Sequence, residues 1–127
     1  MSGNPEAPHL PHQAPIEAYG SGGFRFAGMS HRGSILSLPS GIWAWPVARA
    51  QDIDGTALAA VFAEAAAIEM FLLGTGRDPW VLPDALRWIL RDHRIGAEVM
   101  STGAAVRTYN IVLAEGRRVA AGLIAVD

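Results

Sequence analysis

The 127-residue sequence contains no cysteine and no lysine, and each absence excludes a group of mechanisms. Without cysteine there is no disulfide and no thiolate for catalysis or metal binding. Without lysine there is no Schiff-base chemistry and no P-loop lysine to hold a nucleotide phosphate. All 10 basic residues are therefore arginines, so cationic chemistry in this chain depends on guanidinium groups and on the four histidines.

The sequence also lacks an excess of positive charge and a long apolar run. Its formal net charge is −2, whereas a general nucleic-acid-binding protein carries a basic surface. No apolar run approaches the roughly 20 residues that cross a bilayer, and MSGNPEAPHLPHQAP at the start has no charged-then-apolar signal pattern. We therefore expect a cytoplasmic protein that is not transmembrane and binds no nucleic acid.

Half of the residues are apolar, which is enough for one domain with its own core at this length. The Pro- and His-containing residues 1–14 predict a disordered lead-in, and residues 15–127 predict a single domain. Within it, residues 16–19 and 24–27 alternate around a glycine turn, which predicts two strands. Residues 34–38 predict a third strand. These strands would form a small antiparallel extension.

The second half of the chain alternates between helical and strand patterns. Such alternation is typical of a sheet with helices packed against it. We therefore predict an α/β fold, with a mixed central sheet, helices packed on it and the small N-terminal antiparallel β extension. The expected elements are a helix over 54–67, a strand over 67–73, a helix from Pro83, a strand over 97–101, a helix over 103–115 capped by Thr102, and a strand over 117–126.

A glycine pair, Gly74-Thr75-Gly76, follows the predicted central strand. A dinucleotide-binding fingerprint needs a third glycine and an immediate helix. Pro79 stands at the third glycine position and the next helix is not predicted until Pro83, so the sequence does not match a dinucleotide-binding fingerprint. A glycine turn at the carboxyl end of a central strand still lies where α/β folds place their crevices.

The stretch STGAAVRTYN, residues 101–110, starts the third helix and carries two unexpected side chains. Asn110 shares the sheet-facing side of the helix, so it needs hydrogen-bond partners. Arg107 lies near the positive end of the helix, so we expect an acidic group beside it. Two interpretations stay open. Either Arg107 pairs with Glu69 or Glu98, or Arg107 holds an anion together with the Thr102 hydroxyl and free helix N–H groups.

Other catalytic and metal-binding patterns are missing from the sequence. No G-x-S-x-G elbow is present, and the four histidines have no spacing typical of ligands. We predict no metal and no cofactor. Trp43, Trp45 and Trp80 lie in Pro-containing segments, and a protein-binding function predicts that they form an exposed apolar patch.

Five stretches in order give the chain a family resemblance across residues 15–126. They are YGSGGFRFAG, GSILSLPSG, FLLGTG, STGAAVRTYN and AEGRRVAAGLIAV. Together they resemble a family of small bacterial and archaeal proteins of unknown function, related to the mitochondrial assembly factor 3 of respiratory complex I. The resemblance implies a compact α/β fold with a mixed sheet, no established enzymatic activity, no cofactor, and protein partners among complex I subunits or assembly factors. Members often carry Cys just before the matching Arg107, and Val106 stands there in this chain.

These observations support two hypotheses on function. The first is a non-enzymatic interaction or assembly protein, a monomer or weak homodimer. The alternative is a small anion- or metabolite-binding domain, an enzyme included, with its site at the start of the third helix. In a purely structural interpretation, the same residues serve only the fold. The candidate site residues are Gly74, Thr75, Gly76, Ser101, Thr102, Arg107, Thr108, Tyr109 and Asn110.

Overall fold

A computed structural model describes residues 7–127 and confirms the α/β fold. A three-stranded antiparallel sheet precedes a five-stranded mixed sheet that carries three α-helices. The elements are β1 Ile16–Gly20, β2 Gly23–Phe26, β3 Met29–Arg32, β4 Ile35–Leu38, β5 Gly41–Ala44, α1 Ala59–Ala63, β6 Met70–Gly74, α2 Asp84–Asp92, β7 Gly96–Met100, α3 Thr102–Ala114 and β8 Val119–Leu123.

The five-stranded sheet has the order β5-β4-β8-β6-β7. Strand β6 is parallel to both of its neighbours, β7 and β8, whereas β4 is antiparallel to β8 and to β5. The nearly continuous apolar sequence of β6 suits a strand that is covered on both faces. Gly74 at its end pairs with Met100 of β7 and Leu123 of β8, so three strands end at the same edge.

Two hydrophobic clusters lie on opposite faces of this sheet. Successive side chains of a strand point to opposite faces, and Phe71 and Leu72 of β6 accordingly belong to different clusters. Helices α1 and α2 cover the Phe71 face. Helix α3 covers the Leu72 face together with the small sheet, whose Phe24 and Phe26 point into this cluster.

Several predicted bounds differ from the structure. The helix expected over 54–67 is shorter: a turn leads into α1, and a 3₁₀ turn over Ala65–Ala67 follows it. The next strand therefore begins at Met70 rather than at residue 67. The strand predicted over residues 34–38 is β4, but it belongs to the five-stranded sheet and not to the small extension, so that part of the prediction is wrong. The third strand of the extension is β3, which was not predicted because its polar sequence MSHR is largely exposed and shows no apolar alternation.

Residues 7–14 contact the domain, which differs from the expected disordered lead-in. His9 N–H donates to Ile42 O at 2.8 Å, and Leu10 O accepts from Ile42 N–H at 2.9 Å. Further along, Gln13 Nε2 donates to Val119 O at 2.7 Å. Residues 1–6 of the predicted lead-in lie outside the described residues.

The predicted patch of three exposed indoles is wrong for Trp45. Its ring covers Gly122 of β8, where a Cβ atom would lie 2.9 Å from two ring carbons, and its Nε1 donates to Ala57 O at 2.9 Å. Trp43 and Trp80 are half-buried. Trp88 on α2, which the sequence did not single out, is 59% exposed.

Candidate functional site

The predicted glycine turn meets the start of α3 at the carboxyl edge of the sheet. Thr75 N–H donates to Met100 O at 2.9 Å, and Thr102 N–H donates to Gly76 O at 2.9 Å. Because β6 and β7 are parallel neighbours, the segments that follow them lie side by side. The structure therefore brings together Gly74–Gly76 and Ser101–Thr102 of the candidate site.

The Thr102 hydroxyl joins three segments at this edge. Oγ1 accepts from Gly76 N–H at 2.9 Å and donates to Ile124 O at 2.7 Å. The residue is only 1% exposed. Both functions of the hydroxyl are used within the protein, so Thr102 does not offer a free donor to an anion in this arrangement.

Ser101, rather than Thr102, caps α3. Its side-chain oxygen accepts from Ala104 N–H at 3.3 Å, while Thr102 is already the first helical residue. The prediction that Thr102 is the cap is therefore wrong by one position. The physical reason is that the Thr102 side chain is buried against Gly76 and Ile124, away from the helix N–H groups.

Gly74 is required by the close approach of α3 to β6. A Cβ atom there would lie 2.9 Å from Thr102 Cα and 3.0 Å from Ala105 Cβ. The first distance is shorter than real Cβ contacts and the second is tighter than most of them, so any larger residue would push the helix away from the strand. Gly76 has a different requirement, because its φ of +87° favours glycine.

Tyr109 lies at the centre of a buried hydrogen-bond network. Its hydroxyl is 2.8 Å from Ala14 O and 2.8 Å from Ser37 Oγ. A carbonyl only accepts, so the phenol donates to Ala14 and accepts from Ser37. Burial raises the pKa of Tyr109 to about 12, although its two hydrogen bonds lower it in part. The phenol is therefore neutral at physiological pH and ties the segment before β1 to α3.

Asn110 is half-buried and has partners, as its position on the helix predicted. Its Oδ1 accepts from Ile16 N–H at 2.8 Å, and its Nδ2 donates to Ile16 O at 2.9 Å. One amide thus satisfies both backbone groups of the first residue of β1. The partner is the small sheet, which α3 holds against the domain.

Arg107 does not form either predicted ion pair. Its side chain is exposed and forms no salt bridge within residues 7–127. Glu69 instead lies 3.5 Å from Arg117 Nε, and exposed Glu98 has no ionic partner in that same range. The assignment of Glu69 and Glu98 as partners of Arg107 is therefore wrong. Water solvates and screens an exposed guanidinium, so it needs no carboxylate to balance the helix dipole.

Seven of the nine candidate residues thus fall into two places, and Arg107 is exposed on α3. One group, Gly74–Gly76 with Ser101 and Thr102, lies at the carboxyl edge of the sheet, where hydrogen bonds join Gly76 to Thr102. The other group, Tyr109 and Asn110, faces the segment that enters β1. Thr108 lies between the two groups, with its hydroxyl 3.8 Å from Met100 Sδ. Two open clefts of about 400 and 300 Å³ lie beside the group at the sheet edge, and the loop from Arg77 to Trp80 lines both of them.

A cavity larger than these two clefts lies elsewhere and was not predicted from the sequence. A groove of about 680 Å³ lies beside Trp43 and α1. Trp43 and Trp45, two positions apart, were its only signal in the sequence, and together with Trp80 they were predicted to form one exposed patch. Across the described range 7–127, no group of three or more His, Asp or Glu residues is placed to hold a metal ion.

Comparison with known proteins places this geometry in a family. An uncharacterised protein of Rhodobacter capsulatus is 39% identical over 120 residues, which cover 94% of this chain and 91% of that protein. The mouse NADH dehydrogenase [ubiquinone] 1 alpha subcomplex assembly factor 3 is 31% identical over 91% of this chain. The chain spans 62% of the mouse protein's length.

A crystal structure from Bartonella henselae, described as that of an outer membrane protein, has the same fold. It superposes with a TM-score of 0.90 at 50% identity and covers 94% of this chain and all of that one. In the part of this chain that the structure describes, no helix has the length and apolar character needed to span a membrane. A family model described as protein of unknown function (DUF498/DUF598) matches residues 16–124. The chain therefore belongs to this family, which its sequence resemblance predicted.

Proposed function

We propose that this protein binds other proteins and assists the assembly of a complex, without catalysing a reaction. One observation carries the proposal: of the polar side chains that the sequence singled out at α3, the buried and half-buried Thr102, Tyr109 and Asn110 are used by the fold and are not free to form a catalytic site. Thr102, Tyr109 and Asn110 each direct their polar atoms to backbone groups of other segments. The similarity to an NADH dehydrogenase assembly factor supports a role on subunits of respiratory complex I. We also propose that it acts in the cytoplasm.

Affinity capture from cells of the organism of origin, under native conditions and read by mass spectrometry, tests this function. We expect NADH dehydrogenase subunits or their assembly partners to co-purify with the tagged protein. A strain that lacks the gene should also show several-fold less assembled complex on native gels. Consistent absence of these partners, with normal complex in the deletion strain, would contradict the proposal.

The second candidate function is binding of a small anion or metabolite at the start of α3. The observation that favours it is the exposed Arg107, which lacks an ionic partner within residues 7–127. The Thr102 hydroxyl would not contribute, because Gly76 and Ile124 already use it. Arg107 and main-chain groups would then carry the binding, and enzymatic activity stays open for this candidate.

Thermal unfolding with inorganic phosphate and sugar phosphates distinguishes this candidate from the first. A saturating ligand at about 100 times its Kd stabilises by about 2.7 kcal/mol, which raises Tm by several degrees. Anion binding predicts that Arg107→Ala removes the shift and that Arg87→Ala, an exposed arginine of α2, retains it. Equal shifts in the three proteins, or none, would exclude the site.

A further inference from the structure

A groove of about 680 Å³ lies beside Trp43, outside the candidate site. Its floor consists of buried apolar side chains of β4 and the segment after β5, namely Leu36, Leu38 and Trp45. Its other wall is α1, where Ala59, Ala60 and Ala63 are exposed. Because the floor side chains are only 1–4% exposed, the apolar surface that a partner can contact comes mainly from Trp43 and from the alanine methyl groups of α1. We call this cavity the Trp43 groove.

Hydrogen bonds hold the Trp43 indole in place at the groove. Trp43 Nε1 donates to Ser40 Oγ at 3.0 Å, and Ser40 Oγ donates to Glu64 Oε2 at 2.6 Å. Ser40 N–H also donates to Glu64 Oε1 at 2.9 Å. The indole is half-exposed yet oriented, so a partner that packs on it loses little additional conformational freedom. A fixed, half-exposed tryptophan is a typical anchor of a protein interface.

The rim of the Trp43 groove is acidic. Asp52, Asp54 and Glu64 line it, and no Arg, Lys or His is among its described lining residues. Arg49 lies 3.6 Å from Asp52 and offsets that carboxylate in part, but both side chains are about half exposed or more. Complementary charge steers partners and selects among them. An apolar floor with a carboxylate rim therefore fits an apolar side chain that has cationic neighbours.

We propose that the Trp43 groove docks a basic segment of a partner polypeptide. The segment places an apolar side chain against Trp43 and α1, and its Arg or Lys side chains lie beside Asp52, Asp54 and Glu64. The proposal rests on the proposed function, because it names the surface and the chemistry through which a protein partner binds. A foreign segment suits the groove better than a second copy, because α2, which carries the exposed Trp88, exposes two arginines and two aspartates and so has no net positive charge.

Site-specific photocrosslinking in the intact protein tests the docking surface. A benzophenone amino acid replaces Ala60 in the groove or Ala85 on α2, both of which are exposed alanines of helices. After irradiation in cells of the organism of origin, mass spectrometry identifies the crosslinked segments. We expect an adduct from position 60, and none of equal yield from position 85, to a segment of another protein with net positive charge.

Charge neutralisation provides the second part of the test. Asp52→Asn, Asp54→Asn and Glu64→Gln together keep side-chain size and should lower the adduct from position 60 about fivefold or more. The matched control, Asp84→Asn, Asp92→Asn and Glu98→Gln, removes the same charge outside the groove and should leave the yield unchanged. Thermal unfolding of both variants verifies that they are folded.

Each other outcome overturns the proposal. An adduct to a second copy of this chain, or to a neutral or acidic segment, contradicts the stated partner chemistry. Adducts only from position 85 exclude the groove but leave protein binding intact, since affinity capture still recovers partners. Captured partners without an adduct from either position also exclude the groove. If capture recovers no partner and neither position reacts, the proposed function fails as well.

Discussion

At the scale of single residues, the need of a polar side chain of α3 for partners can be predicted from the sequence, but the identity of its partner cannot. The helical period placed Asn110 on the covered face, so its need for partners was predictable. Its partner was not, because Ile16 lies 94 positions away and meets it only after β1 packs on α3. The prediction of an acidic partner for Arg107 was wrong, because it considered the helix dipole and not the screening of an exposed charge by solvent. The exposure of Arg107 was not visible in the sequence.

Tyr109 should make stability fall at alkaline pH. Its pKa is raised to about 12 in the folded protein, whereas an unfolded tyrosine releases its proton near pH 10. The unfolded chain therefore binds fewer protons above pH 10, and the stabilisation, complete below that pH, is lost as the pH rises through 12. We expect a loss of about 2–3 kcal/mol in the free energy of unfolding, measured by urea unfolding from pH 9 to 12.

The sequence suits this experiment, because it has no lysine that would titrate in the same pH range. Tyr19 is the only other tyrosine. Tyr109→Phe should remove most of the alkaline fall and be less stable near neutral pH, since Ala14 and Ser37 lose a buried partner. Tyr19→Phe should keep the fall, because Tyr19 is 43% exposed and takes no part in the hydrogen bonds that join Tyr109 to Ala14 and Ser37. A wild-type profile that is flat from pH 9 to 12 would contradict the buried phenol.

At the scale of elements, the pattern in the second half predicted β6, α2, β7, α3 and β8 in order, with errors of a few residues at their ends. The predicted candidate site also combined the glycine turn with the start of α3, and the two segments lie side by side at one edge of the sheet. The order of the strands and the path of the lead-in depend on contacts between distant segments. Those contacts leave no periodic signal in the sequence.

Gly74→Ala tests how closely α3 packs on β6. The added Cβ would lie 2.9 Å from Thr102 Cα, which is backbone and cannot rotate away. We expect a loss of about 1–3 kcal/mol in the free energy of unfolding, as for other overpacked sites. Gly55→Ala is the matched control, because no atom lies within 4 Å of its Cβ position and its φ is ordinary. Equal stabilities of the two variants would show that the helix is free to shift.

At the scale of the whole molecule, the fold uses its internal polar groups and leaves distinct surfaces open. One is the start of α3, with the unpaired Arg107. Another is the Trp43 groove, with its apolar floor and acidic rim. The sequence pointed to the first surface because its residues are adjacent in the chain. The second combines β4, β5 and α1, so its shape became visible only in the folded structure.

The most direct measurement compares partner capture by two folded variants with capture by the wild type. One is Arg107→Ala, and the other combines Asp52→Asn, Asp54→Asn and Glu64→Gln. If this protein acts by binding partners through the groove, Arg107→Ala retains the wild-type set of partners and the groove variant loses most of it. Loss of the partners in Arg107→Ala, with full retention in the groove variant, would contradict this account.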